Sequence, residues 1–402
     1  MRRIDRWVGV PVCSLLTVLR RSGDLARRSR RAAPRPIRRI LFIKLAEQGA
    51  TVLAYPAIRK AVDRVGRENV FFLVFQENRF ILDVMGVLPE ENVLAIPSGG
   101  VGRLSVGGVR SLARVRRLRV DAAIDLEFFA RSSAILTYLS GARVRVGLHG
   151  MGGDGAPYRG DLMTHRLPYD PDQHTIDAYA RMVDVLDIAP EDVSTSLAHE
   201  IQVDDKLPEF SPTPEELAHV EAVVRRELGA DDYSPLVLLN PNASDLLPIR
   251  RWPGGRYVEL ARRLIDRSPK VHVAFTGAPG EAAADALAAR VGSDRCCSMV
   301  GKTTLRELLV LYCLADVLVT NDSGPAHFAS LTPIQAITLF GPETPKRFGS
   351  RSPRSHLVWK QLPCSPCVDA YNNRLTTCRH GRCMQHISVD EVFEMARRIM
   401  NI

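Results

Sequence analysis

The feature that most constrains this chain is a run of short apolar segments alternating with helical patterns, and the run occurs twice. From residue 39 the sequence gives ILFIK (40–44), VFFLVF (70–75), AAIDLEF (122–128) and RVRVGL (143–148), with helix-like stretches such as 52–65 between them. Apolar strands separated by helical patterns imply a parallel sheet with helices on both faces. A second series follows: PLVLLNP (235–241), VHVAFTG (271–277), DVLVTND (316–322) and IQAITLFGP (334–342), with helices expected over 255–265, 281–291 and 305–314. Pro208, Pro212, Pro214 and Pro235 surround one charged helical stretch, which reads as an interdomain connection. The expected organisation is a basic leader over 1–38, a Rossmann-like domain over 39–207, a linker over 208–234, a second Rossmann-like domain over 235–387 and a C-terminal helix over 388–402. The fold class is α/β, two doubly wound domains facing each other across a cleft. Such sheets bind ligands beyond the carboxyl ends of their strands, so the loops after Lys44, Leu239, Phe275, Thr320 and Phe340 are the expected lining.

A length of 402 residues with 46% hydrophobic and 25% charged content supports two globular cores and excludes a disordered chain or a small disulfide scaffold. The net charge of +9 is not spread evenly. Residues 1–39 hold 12 arginines against Asp5 and Asp24, which leaves 42 basic and 43 acidic residues elsewhere. The body is therefore neutral, and a nucleic-acid partner is not expected. In the leader, Trp7, Val8, Val10, Val12, Leu15, Leu16 and Leu19 lie between arginine clusters, the outline of a segment resting on an anionic membrane surface. The uncharged stretch over 8–19 has 12 residues and contains Pro11, short of the about 20 needed to span a bilayer. Two other readings of the leader stand beside the anchor: a packing or disordered extension, and a cleaved secretory signal, for which no small-x-small site follows.

GMGGDG (150–155) has dinucleotide-loop spacing but is followed by Ala156, Pro157 and Tyr158 rather than a helix, so it reads as a loop. GKTT (301–304) lacks the first P-loop glycine, because Cys296 stands there, and Thr304 with Glu307 reads as a capping box. NDSGPAH (321–327) follows a strand and opens a helix-like stretch. Backbone N–H groups at Ser323 and Gly324 suit a diphosphate, and Asp322 suits sugar hydroxyls; a plain N-cap is the alternative. Arg250 and Arg251, in a loop after another strand, suit a doubly negative group or form a solvated pair beside Trp252. Glu281 stands where its carboxylate reaches a ribose diol or merely favours a helix start. Cys364, Cys367, Cys378 and Cys383 give C-x2-C-x10-C-x4-C, a tetrathiolate spacing for a structural zinc ion or a small packed thiol loop.

Together, ILFIKLAEQGATVLAYPAI, PNAS with RRWP, TGAPGE, LVTNDSGPAHFASLTPIQAITLFGP and CSPC with CRHGRCMQHISVDEV resemble glycosyltransferase family 9, the bacterial heptosyltransferases of the lipopolysaccharide inner core. The resemblance implies a GT-B fold and an inverting transfer without a catalytic cofactor. It also implies an acceptor-side N-terminal domain, and a C-terminal domain that holds a nucleotide-sugar donor, usually ADP-heptose. Asp322 then contacts the donor sugar, Ser323, Gly324 and His327 the diphosphate region, Arg250 stands at a common lysine position, and Glu281 lies near the ribose. Asn242, Arg251, Thr276 and Gly277 complete the donor-binding set. The resemblance further implies a lipid-linked saccharide acceptor and a cytoplasmic place at the inner membrane. One departure is marked: the family's Gly-Asp in the first loop is Gly49-Ala50 here. Alanine cannot accept a proton, so Glu47, Asp125 or Glu127 is the expected base. Two other readings follow from that departure and from the fold: a catalytically silent sugar-nucleotide-binding or assembly protein, and a nucleotide-sugar epimerase.

Overall fold

The computed structural model describes residues 5, 7–27, 36–97, 99–150, 157–196, 202–244, 247–371 and 375–402. Most of GMGGDG, positions 245–246 of the loop before Arg250, and residues 1–4, 6 and 28–35 of the leader lie outside them. The chain divides into two compact units, Met1–Asp205 with Ala370–Arg374, and Lys206–Asp369 with Leu375–Ile402.

The first unit holds a six-stranded sheet of β1 (Ile40–Ile43), β2 (Val70–Phe75), β3 (Val93–Ile96), β4 (Ala122–Asp125), β5 (Val144–His149) and β6 (His165–Pro168), in the order β3-β2-β1-β4-β5-β6. All pairs are parallel. The central strands β1 and β4 are buried at every position, which is why they read as unbroken apolar runs. Asp121 Oδ2, just before β4, accepts from the amides of Arg38 (2.8 Å) and Arg39 (3.1 Å) and pins the entry to β1. The leader contributes the helix Gly9–Arg27, whose Cys13 packs with Ala134, Leu162 and Met163.

The second unit repeats the plan with β7 (Leu236–Asn240), β8 (His272–Phe275), β9 (Cys296–Ser298), β10 (Val317–Asn321), β11 (Gln335–Phe340) and β12 (Ser355–Trp359), ordered β12-β11-β10-β7-β8-β9 and parallel throughout. Asp316, before β10, takes the Leu236 amide at 2.8 Å, the same device in the same place. The stretch expected as a connection supplies the helix Pro214–Leu228, capped by Thr213 and Glu216 and packed on the helix Leu305–Leu314 of this unit. Thr304 and Glu307 form the expected capping box. The C-terminal helix Val389–Met400 buries Val389, Val392, Phe393 and Ala396 in the unit's core.

In both sheets the strand order reverses between the first and fourth strands of the unit. Loops leaving β1 and β4, and those leaving β7 and β10, therefore splay apart at a topological switch point. No helix among the described residues is long and apolar enough to cross a membrane.

Candidate functional site

At the switch point of the second unit, three loops are stitched by asparagines. Asn240, the polar end of β7, donates from Nδ2 to Thr276 Oγ1 (3.2 Å) and accepts the Asn242 amide on Oδ1 (3.2 Å). Asn242 Nδ2 in turn donates to the Thr276 carbonyl (3.4 Å) and to Glu281 Oε2 (2.6 Å), which also accepts the Ala278 amide (2.7 Å). Gly277 runs through this knot: a Cβ there would lie 2.8 Å from both Asn242 Nδ2 and Glu281 Oε2. Asn242, Thr276, Gly277 and Glu281 thus form one patch. Glu281 is the residue preceding the helix Ala282–Val291, and it braces its own loop.

Asn321, the buried end of β10, ties this patch to the next. Its Nδ2 donates to the carbonyls of Pro241 (3.0 Å) and Asn242 (3.2 Å), and its Oδ1 accepts from the Trp252 amide (2.9 Å) and Tyr257 hydroxyl (3.2 Å). Beyond it, Asp322 Oδ2 lies 3.6 Å from Arg250 Nε, and Arg250 Nη2 donates to Glu343 Oε1 at 3.2 Å. Asp322 and Glu343 are both buried, so one guanidinium is held between two carboxylates at the ends of adjacent strands β10 and β11. Ser323 Oγ donates to the Asn321 carbonyl (3.1 Å), and Gly324 opens the helix Gly324–Ala329, which carries the buried His327. Arg251 does not pair with Arg250. It is exposed and donates from Nε and Nη2 to the Ala243 carbonyl at 3.2 and 2.6 Å.

The first unit places its three acids differently from one another. Lys44, the residue after β1 and fully buried, brings Nζ to 3.1 Å from Glu127 Oε2 and 3.4 Å from Glu47 Oε2. Glu127 Oε1 also accepts the amides of Leu45 (2.9 Å) and Ala46 (3.1 Å), so it shapes the loop. Asp125 is buried against Arg159 and accepts from Ser133 Oγ (3.0 Å) and the Glu127 amide (3.1 Å). Burial pushes its carboxyl up to about 6, against the pull of the Arg159 guanidinium. Glu47 alone of the three is exposed, in left-handed conformation (φ 69°) before the helix Gln48–Leu53, in which Ala50 is buried.

Sequence reasoning missed Glu343, Asn321 and Lys44. Lys44 carried a signal, a charge ending an apolar strand. Glu343 carried none, since its role depends on β11 lying beside β10.

In the cysteine loop Cys383 is buried, Cys367 and Cys378 are half-buried and Cys364 is exposed. Burial pushes the Cys383 thiol up to about 11, and Cys367, Cys378 and Cys364 add to that rise, so the four lie within electrostatic reach of one another. Among the described residues no group of three or more His, Cys, Asp or Glu side chains is arranged to hold a metal ion.

The sequence profile of glycosyltransferase family 9 (heptosyltransferase) matches residues 109–376. Lipopolysaccharide heptosyltransferase 2 of Salmonella typhimurium is 32% identical over 128 residues, 30% of this chain and 36% of that protein. Its counterpart in Escherichia coli is 32% identical over 114 residues, 28% of this chain and 32% of the relative. The matched stretch therefore spans about a third of the length of these curated relatives. The structure of the E. coli ADP-heptose lipopolysaccharide heptosyltransferase II superposes with a TM-score of 0.67 at 20% identity, covering 90% of this chain and 98% of that one. An iron-containing dodecameric glycosyltransferase of enterotoxigenic E. coli gives a TM-score of 0.52 at 11% identity, covering 92% and 78%. The fold is that of the GT-B enzymes.

Proposed function

The chain belongs to glycosyltransferase family 9, and from that premise we propose that it is an inverting glycosyltransferase carrying a sugar, heptose from ADP-heptose, to the lipopolysaccharide core or another lipid-linked saccharide. The observation that carries the reading is the arrangement at the ends of β7, β8 and β10, where carboxylates, amides and one guanidinium hold one another in place. Asp322 accepts hydrogen bonds from donor-sugar hydroxyls, Arg250 faces the diphosphate, and Glu281 with Asn242, Thr276 and Gly277 takes the ribose side. Ser323, Gly324 and His327 line the phosphate region, and Arg251 braces the loop that bears Arg250.

In the reaction a base removes the proton of the acceptor hydroxyl. The freed oxygen attacks the anomeric carbon from the face opposite the diphosphate, and the bond to the diphosphate breaks with its electron pair leaving on the nucleotide. Glu47 is the proposed base because it alone of the three acids is exposed; it shares Lys44 with Glu127, which also accepts two amides, and Asp125 is buried against Arg159. Arg250 offsets charge developing on the leaving group.

Titration with ADP, UDP and GDP, followed by incubation of ADP-heptose with and without a lipid-linked core, tests the reading. ADP alone should bind tightly, and acceptor should gain one heptose. Binding without transfer would favour a silent binding protein, and a changed sugar nucleotide without acceptor an epimerase. Asp322→Ala should cost about 1 to 3 kcal/mol of donor affinity.

A peripheral position on the cytoplasmic face of the inner membrane is supported by the 12 arginines of residues 1–39. A structural zinc ion on Cys364, Cys367, Cys378 and Cys383 is supported by their spacing in the sequence, although among the described residues no three such side chains are arranged to hold a metal ion. Elemental analysis of chelator-washed protein should find about one equivalent of zinc; less than about a tenth argues for plain thiols, and iron for the metal of the iron-containing relative.

A further inference from the structure

The helix Gly9–Arg27 is seated on the first unit along one side. Its buried positions Gly9, Cys13 and Thr17 are spaced four apart, so a single face lies inward. The fit is close: a Cβ on Gly9 would meet Arg131 Cβ at 2.8 Å, and one on Gly160 would meet the Cys13 carbonyl at 2.9 Å. Asp5 accepts the amides of Arg131 (3.1 Å) and Ser132 (2.9 Å), and Thr17 Oγ1 accepts that of Asp161 (2.9 Å).

The other side is apolar as well. Trp7 is 78% exposed, and Val8, Leu15, Val18 and Leu19 are each more than half exposed. Tyr158, also largely exposed, stands 3.3 Å from Ser14 Oγ at the edge of this face. A helix already docked through one face gains nothing from a second apolar face in water. Directly after Val18 and Leu19, Arg20 and Arg21 join Arg166 around the single carboxylate of Asp161. A cavity of about 400 Å³ opens there, lined by Arg20, Met163, Thr164, Arg166, Pro190 and Glu191. Burial, and after it the charges of Arg20 and Arg21, holds the Arg166 guanidinium below its usual range.

We propose that this helix lies in the surface of an anionic bilayer, with Trp7, Val8, Leu15, Val18 and Leu19 at the acyl boundary and Arg21 and Arg166 taking a lipid phosphate at the mouth of the cavity. Charge selects the occupant. Residues 1–39 carry 12 arginines and two acids, and one of those acids, Asp5, is spent on capping, so a second copy of this face would be repelled and an anionic surface attracted. Aromatic rings at one end and arginines at the other suit the headgroup level. The inference deepens the peripheral-membrane reading above and is measured without donor or acceptor, so it fails separately from the transferase reading.

The test uses the full chain and vesicles of phosphatidylethanolamine with phosphatidylglycerol, against phosphatidylcholine alone. The protein should sediment with the anionic vesicles, and lipids brominated on the acyl chains should quench Trp7 emission, a quench lost in Trp7→Phe. Leu15→Ser with Val18→Ser and Leu19→Ser should weaken vesicle binding about tenfold or more at unchanged melting temperature. Arg21→Gln with Arg166→Gln should lower the preference for phosphatidylglycerol while the quench persists. Undiminished binding by the triple variant, or absence of quenching, overturns the proposal. So does a dimer that the triple variant abolishes, or a site that binds inorganic phosphate but no vesicle.

Discussion

Glu47 and Gly277 each give one of the two candidate sites a test at a single position. Glu47 sits three residues before Ala50, with its exposed carboxylate 3.4 Å from the Lys44 ammonium. Glu47→Gln keeps the shape and removes the basicity, so turnover should fall about 100-fold or more while donor affinity stays nearly the same; wild-type turnover on a verified acceptor would remove Glu47 from the mechanism. Gly277 is needed for close approach. Gly277→Ala should force apart Asn242 and Glu281, lower the thermal midpoint by an amount equivalent to about 1 to 3 kcal/mol, and weaken ADP binding in step. That Asn242, Thr276, Gly277, Glu281 and Asp322 gather at strand ends was legible because each stands in a local motif following an apolar strand. Glu343 was not, because its partner Arg250 is 93 positions away and the pairing exists only once β10 and β11 are neighbours.

Among the elements, the eight strands legible in the sequence are the interior strands β1, β2, β4, β5, β7, β8, β10 and β11. The four that were not singled out, β3, β6, β9 and β12, are the edges of the two sheets. An edge strand pairs on one side only and tolerates mixed sequence, as HRLP, CCS and SHLVW show. One edge carries a titration. His165 on β6 donates from Nε2 to the Ile188 carbonyl (2.9 Å), and its Nδ1 lies 2.8 Å from Thr164 Oγ1. Burial holds its pKa below the usual 6.5, so the unfolded chain takes up the proton first. The stabilisation is therefore complete above about pH 6.5 and is lost as pH falls below it. Asp125, whose carboxyl is pushed up to about 6, contributes with the opposite sign over the same range, so the test is a difference: from pH 7.5 down to 5 the urea midpoint should fall relative to that of His165→Gln, the two separating below about pH 6.5.

Across the whole molecule, the leader is the largest difference between what its composition suggests and what it does. Its arginine content points outward to a membrane, yet Cys13 is as buried as the core of the sheet and Thr17 is buried beside it. The pattern was two-sided, and periodicity alone does not say which side meets protein. Removing residues 1–27 should therefore lower the melting temperature, by uncovering Ala134, Leu162 and Met163, as well as reduce vesicle binding. A truncated chain with unchanged melting temperature would show that the docked face contributes no stability.

The division of the chain into units has a further consequence. Ala370–Arg374 belongs to the first unit although residues on both sides of it belong to the second. Tyr371 stands edge-on to Tyr169 with ring centres 4.8 Å apart and donates its hydroxyl to the Tyr169 carbonyl at 2.9 Å. The halves are consequently not separable cassettes. A fragment starting at Lys206 would expose a tyrosine plug without its socket, and a fragment ending at Asp205 would leave that socket open. Produced together from a split gene, the two fragments would have the plug as a ready means of recapture.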